Sequence, residues 1–286
     1  MCSTQRGPIS LGYANLAPLL FIVTSISGYI GKKHLSRAIE HVLSEPLTSP
    51  TGEQKPLAFS VIRVPFFLEP HYDETKPYIE SNRSRLIKKW GGEAGWEVQK
   101  QRHDLKGRGL EAGIPHFNLD RLAANSMASH RLIQHLGKKY GLHVSEEVYD
   151  LLNVYYFVDG HSLNDRPRLA RVVAEKLQEL VASDDEQPAA MSEMDILDFL
   201  DSDEGRAEIE LALSTLDQLG VHGIPKFIIE GQTVVDGAAR SEVFINIFRK
   251  IERRGFVQRG PIFGDILGIS NDIIERGSHR SEDIAA

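Results

Sequence analysis

Reactive thiol is almost absent from this chain. Cys2 is its single cysteine, so no intrachain disulfide, Cys-x-x-Cys pair or cysteine-rich zinc site can be assembled from it. The densest chemical signal lies in Gly220-Val221-His222-Gly223-Ile224-Pro225-Lys226-Phe227-Ile228-Ile229-Glu230-Gly231. His222 has the near-neutral titration of a general acid or base, against the alternative of a solvated loop histidine. Pro225 cannot donate to a strand ladder, which predicts the first position of a strand. An X-Pro bond there is also where a cis peptide costs least. A proline in that place holds the backbone at Ile224 and Pro225 open to an extended peptide or ligand. Asn125, Ser126, His130 and Arg131 fall within two turns of one predicted helix. They read either as a rim contacting substrate or thiol, or as a helix cap with an anchoring hydrogen bond. His71-Tyr72-Asp73-Glu74 and Asp159-Gly160-His161 carry metal-capable groups, but neither has His-x-x-x-His spacing or a third ligand in register. Solvated loops and no metal are expected there.

The elements that must position these residues follow from periodicity. Leu19 to Val23 is a short apolar run with the length of a buried strand. A helix over Gly31 to Ser44 puts Leu35, Ala38, Ile39 and Val42 on one face. Leu57 to Leu68 reads as a second strand with a break or edge at Pro65. From Lys76 to Leu200 the pattern is helical, with segments at 77–90, 119–140, 145–159, 166–183 and from Met191. A further helix over 203–219 stops on Gly220, a common C-terminal glycine. Two short strands follow, on either side of Gly231, and then a helix over Glu242 to Arg254. The fold class expected is α/β: a mixed four-stranded sheet with helices on both faces and a large all-helical domain inserted midway. The boundaries are residues 19–70 and 203–255 for the sheet domain and 71–202 for the insertion, with irregular tails at 1–18 and 256–286.

Composition narrows the function classes. A net charge of -7 with no basic, aromatic-interleaved stripe argues against nucleic acid as a partner. The glycines at 91, 92, 107 and 109 do not form a dinucleotide fingerprint after a strand. Leu16 to Ile30 is too short and too interrupted to span a bilayer. It has little positive charge before it and no clear small-x-small cleavage site, so neither membrane nor secretion is expected. One cysteine suits a reducing compartment, and a cytoplasmic location is the expectation.

Several segments jointly resemble DsbA-like thioredoxin-fold oxidoreductases of the FrnE type. They are Tyr29-Ile30-Gly31-Lys32, Pro65-Phe66-Phe67-Leu68-Glu69-Pro70, Asn125-Ser126 with Ser129-His130-Arg131-Leu132, Gly223-Ile224-Pro225-Lys226-Phe227, and Gly237-Ala238-Ala239 followed by Glu242. The resemblance spans about Phe21 to Gly255. It implies a thioredoxin-like domain, thiol–disulfide chemistry, and a ligand site around Tyr29, Ile224, Pro225, Asn125 and His130. It also places the family's Cys-Pro-x-Cys on Ser25-Ile26-Ser27-Gly28, where both sulfurs are missing. A serine hydroxyl there stays protonated and cannot exchange electrons with a disulfide.

Three readings follow. The chain is a redox-dead relative that keeps a peptide- or thiol-binding surface. Or Ser25 polarises a glutathione thiol, as the resemblance to kappa-class glutathione transferases and chromene-carboxylate isomerases implies, although Ile26 and Gly28 depart from that class's Ser-Pro-x-Ser. Or the sequence before Tyr29 is a mis-joined segment. No cofactor is expected beyond glutathione as a co-substrate.

Overall fold

The computed structural model describes residues 19–24, 28–48, 58–67, 72–74, 80–182, 187–257 and 262–280. Cys2, Ser25, Ile26, Ser27, Leu68, Glu69, Pro70 and His71 lie outside the described residues. Strand β1 (Leu19–Thr24) leads through helix α1 (Tyr29–Ser44) to β2 (Ala58–Pro65), and the two strands pair in parallel. After a long helical stretch, β3 (Lys226–Ile229) pairs antiparallel with β1, and β4 (Thr233–Asp236) antiparallel with β3. The final long helix, called α10 below, is Ser241–Arg254.

β2 is buried at all eight positions, and its period-2 alternation serves two different cores. Phe59 and Val61 join Leu35, Ala38, Ile39 and Val42 of α1 and Phe244, Phe248 and Ile251 of α10 on one face. Ile62 and Val64 point to the other face. β3 divides in the same way, Phe227 and Ile229 to the first face and Ile228 to the second.

The second face corrects an expectation. Residues 256–286 were expected to be an irregular tail and the sheet to have four strands. Instead α11 (Ile262–Ile266) and α12 (Asn271–Arg276) lay Phe263, Leu267, Ile269, Ile273 and Ile274 against Ile62, Val64 and Ile228. Strand β5 (His279–Arg280) then pairs antiparallel with β2, giving a five-stranded order β4-β3-β1-β2-β5. The reason is area: one sheet face is left apolar by β2 and β3, and burying it stabilises the fold by roughly 25 cal/mol per Å². Helices of five and six residues are too short to announce themselves by periodicity.

Between β2 and β3 the chain is helical: α2 (Asn82–Lys89), α3 (Glu93–His103), α4 (Leu105–Glu111), α5 (Met127–Tyr140), α6 (Leu142–Asn153), α7 (Arg166–Val181), α8 (Glu193–Asp201) and α9 (Arg206–Gln218). α5 through α8 enclose a third core that includes Leu132, Leu136, Val148, Leu152, Val173 and Leu200, and Tyr29 and Ile30 of α1 reach into it. α9 returns to the sheet, placing Ile209, Ala212 and Leu216 on its second face. It ends at Gly220, at φ +69°, where Val221 N–H donates to the Leu216 carbonyl at 2.9 Å; this is the left-handed stop that favours glycine.

α5 begins at Met127 rather than near Leu119. Residues 119–123 are drawn away from helical pairing by the start of α2. Asn82 N–H donates to the Arg121 carbonyl, Arg83 N–H to Leu119, and Ala123 N–H to Glu80, at 2.8, 2.8 and 3.0 Å.

A buried charge cluster fastens the helical segment to the sheet. Arg63 of β2 donates from Nε and Nη2 to both oxygens of Glu146 in α6, each at 2.6 Å. Lys32 of α1 lies 2.5 Å from Asp150 and 3.9 Å from Glu146. Burial alone would raise the Glu146 carboxyl, but Arg63 and Lys32 outweigh it and hold the group below its ordinary range. For Lys32 burial dominates, and its ammonium sits below its usual value despite both carboxylates.

Candidate functional site

α1 starts at Tyr29 with Gly28 as its cap residue, and no side chain caps it. Its first-turn N–H groups, which have no intrahelical acceptor, and its dipole leave that end electropositive. Ile224 and Pro225 lie at the start of β3, beside the first turn of α1. Their peptide bond is cis, and the Pro225 carbonyl accepts from Gly237 N–H at 2.8 Å. The approach is close enough that any side chain at Gly31 would press on its neighbours. A Cβ on Gly31 would stand 3.0 Å from Phe227 Cζ and 3.1 Å from Pro225 Cγ.

Gly28 to Gly31, Ile224, Pro225, Gly237 and Ala238 form one side of a cavity of about 430 Å³. The helical segment supplies the other side, with Arg85 of α2, Arg108 of α4, Arg121 of the connection to α5, and Phe117 and Phe157 among its aromatic surface. Phe157 is carried there by a π-helical turn, Val154–Val158, that extends α6. Such turns re-aim a side chain and recur at functional sites. Phe157 stacks on Tyr29 at 6.0 Å and meets Phe117 edge-on at 6.0 Å. Burial, then Asp150 and Asp159, push the Tyr29 phenol up to about 12, so it stays protonated at neutral pH.

The arginines give the cavity its charge. Among the described residues lining it, none is acidic. Arg121 lies over Tyr156 and Phe157, 4.9 and 4.8 Å from their ring centres, and donates to the Asn118 carbonyl at 2.8 Å. Its Nε is buried and has no hydrogen-bond partner among the described residues. Arg85 donates to Asn82 Oδ1 at 2.9 Å. Burial lowers both guanidinium pKa values, Tyr156 opposes this in each case, and Arg121 lowers Arg85 further. Two cations thus share one wall. Outside that lining, the Glu111 carbonyl at the end of α4 accepts from Arg37 at 2.7 Å and its carboxylate pairs with Arg240 at 3.3 Å.

The residues singled out from sequence divide into two groups. Tyr29, Ile224 and Pro225 come together in the cavity wall. Asn125 and His130 are not among its lining residues, and their contacts are those of the cap-and-anchor alternative rather than of a rim. Asn125 Oδ1 accepts from Met127 N–H at 2.8 Å, and its Nδ2 donates to the Tyr72 carbonyl at 2.6 Å, so it fixes the start of α5. His130 is 2% exposed and packs edge-on to Phe67 at 5.3 Å. Burial pushes its pKa down to about 4, against a hydrogen bond to the Phe66 backbone. Arg131 donates to the carbonyls of Glu204 and Phe199 at 2.7 and 3.0 Å, an anchoring role. His222 is exposed beside Asp217, away from the cavity. Ser25, Ile26 and Ser27 lie outside the described residues; Gly28, which follows them, lines the cavity and offers no side-chain donor.

Glu74 pairs with Arg206 at 2.7 Å, and the His161 ring meets Arg168. Among the described residues no cluster of three metal-ligating side chains is gathered, and no helix is long and apolar enough to cross a membrane. Sequence reasoning missed Arg85, Arg108, Arg121 and Phe157. They come from four separate elements and share no spacing that marks them out.

No protein-family model matches the chain, and no curated protein sequence does. Solved structures do. A probable DsbA oxidoreductase from Streptomyces coelicolor superposes with a TM-score of 0.61 at 21% identity, over 86% of this chain and 92% of its own. A 2-hydroxychromene-2-carboxylate isomerase superposes at 0.53 and 13% identity, over 82% and 97%. The chain therefore has a DsbA-like fold, a thioredoxin-type sheet combined with a helical segment.

Proposed function

We propose that this chain is a DsbA-like protein of the FrnE type that retains a ligand-binding cavity at Ile224–Pro225 and has lost dithiol exchange. In this reading residues 19–70 and 203–255 are the thioredoxin-like domain and 71–202 the insertion, and the ligand is a thiol-bearing or extended peptide. The observation that carries it is a mismatch. The α1 start and Ile224–Pro225 enclose a cavity together, yet the chain's one thiol is Cys2. Disulfide exchange needs an attacking thiolate and a second thiol to resolve the mixed disulfide. A single cysteine also suits a reducing, cytoplasmic setting. The test is insulin reduction with dithiothreitol as electron source. No rate above the blank is expected, and a rate that survives Cys2→Ser would overturn the reading.

The arginines favour a second reading, in which glutathione is a co-substrate and Ser25 polarises its thiol. Glutathione carries two carboxylates, and a wall with Arg85, Arg108 and Arg121 complements them. Calorimetric titration tests it. Binding at millimolar glutathione that weakens in Ser25→Ala supports this reading; no binding, or binding indifferent to Ser25→Ala, removes it.

A further inference from the structure

The arginine-lined wall continues into a second compartment. Leu86, Leu105, Arg108, Phe117 and Leu119 line the first cavity on one side and a further cavity of about 570 Å³ on the other. That annex holds Trp90 and Trp96, both tryptophans of the chain, together with Pro115, His103 and His116. Trp90 at the end of α2 is 37% exposed and Leu105 at the start of α4 is 39% exposed, so large apolar side chains face solvent at the junction. The one acidic residue in the annex, Asp104, accepts from Gly107 N–H at 3.1 Å as the cap of α4. Lys106 and Arg108 add cations, while Lys100 is paired with Glu97. Arg108 is exposed at the boundary between the compartments, with no carboxylate partner among the described residues.

We infer that the two compartments form one site for a small organic anion, its aromatic ring in the annex against Trp90 and Trp96 and its carboxylate on Arg108 and Arg121. The charge complement selects an anion, and the indole surface selects a flat apolar group. Each compartment has the volume of a small-molecule site. The inference rests on reading the Ile224–Pro225 cavity as the ligand site and names the substrate class for it. Arg85 and Arg121 repel each other across the wall, which a bound carboxylate would relieve.

Because both tryptophans lie in the annex, its occupancy can be read by their fluorescence. The probe is 4-nitrobenzoate, with 4-nitrobenzyl alcohol as its neutral counterpart and calorimetry as an independent readout. Saturable quenching by the acid is expected, with the alcohol binding much more weakly. Arg108→Glu, at an exposed position, should keep the fold by circular dichroism and weaken the acid by about tenfold or more. Equal binding of acid and alcohol, affinity unmoved by Arg108→Glu, or no saturable binding of the acid would each overturn the inference. Glutathione titrated into the same protein separates the two readings. Glutathione binding without 4-nitrobenzoate binding defeats the annex alone. Neither ligand binding defeats the annex and the glutathione reading together, while the insulin assay still addresses the dithiol-deficient reading.

Discussion

The two walls of the cavity are made of different materials. The sheet-side wall is backbone and uncharged side chains: Gly28, Tyr29, Ile30 and Gly31 of the first turn, Ile224 and Pro225, Gly237 and Ala238. It carries no charged side chain, and its packing leaves no room for one at Gly31. The helical wall is arginine and aromatic ring, held by a π-helical turn and by backbone pairing between α2 and residues 119–123. A backbone wall can dock many ligands of similar shape, whereas guanidinium groups and rings choose among them by charge and planarity. In the proposed reading, the first wall would contribute shape and the second would select by charge and planarity.

The seam between those walls offers the largest effect. Glu146→Gln leaves the buried Arg63 guanidinium without its carboxylate and weakens the hold on Lys32. A loss of about 3–5 kcal/mol in urea unfolding is expected. A loss below 1 kcal/mol would mean that the helical wall is not fastened through this cluster.

Next comes pH. His130 is buried and neutral, with a folded pKa of about 4 against an ordinary value of 6.5. A depressed histidine contributes stability that is complete above 6.5 and is lost as pH falls towards 4, here roughly 3 kcal/mol. Glu146, depressed from 4.5, adds a second loss below that pH. In His130→Gln, the fall in stability between pH 7 and 4.5 should become clearly shallower, the remainder coming from His34, His135 and His279, which burial also depresses; an unchanged slope would assign the titration elsewhere.

Gly31→Ala tests the sheet-side wall alone. Overpacking against Phe227 and Pro225 costs about 1–3 kcal/mol, partly offset by alanine's better helix propensity of roughly 1 kcal/mol. Thermal denaturation should show a modest loss, and ligand affinity should fall with it. On the helical wall, by contrast, Arg108→Ala should change stability by less than about 0.5 kcal/mol, because the side chain is exposed; only ligand binding should respond. A fall in stability equal to that of Gly31→Ala would erase the distinction between the walls.

Much of the frame was legible in the sequence for the same physical reason that it folds. The 3.6 period of Leu35, Ala38, Ile39 and Val42 and the period-2 run after Pro225 are the burial pattern itself. The C-terminal cover was not legible, because Phe263 and Ile274 sit on helices too short to show a period and acquire meaning only against the apolar face of β2. Asn125 and His130 left two readings open for a related reason. A polar cluster at a helix start looks the same whether it faces a ligand or pins the backbone, and only the contacts with Tyr72 and Phe67 decide. Arg85, Arg108 and Arg121 meet in space alone.

On the proposed reading, the ligand cavity is intact while the dithiol is missing. Installing the sulfurs tests it most directly, since Gly28 has φ -82°, a backbone conformation cysteine accepts. In the insulin-reduction assay the unaltered chain should match the blank, and the double variant Ser25→Cys with Gly28→Cys should gain a clear rate. A rate already present in the unaltered chain and retained in Cys2→Ser, or no gain in a folded double variant, would contradict the account.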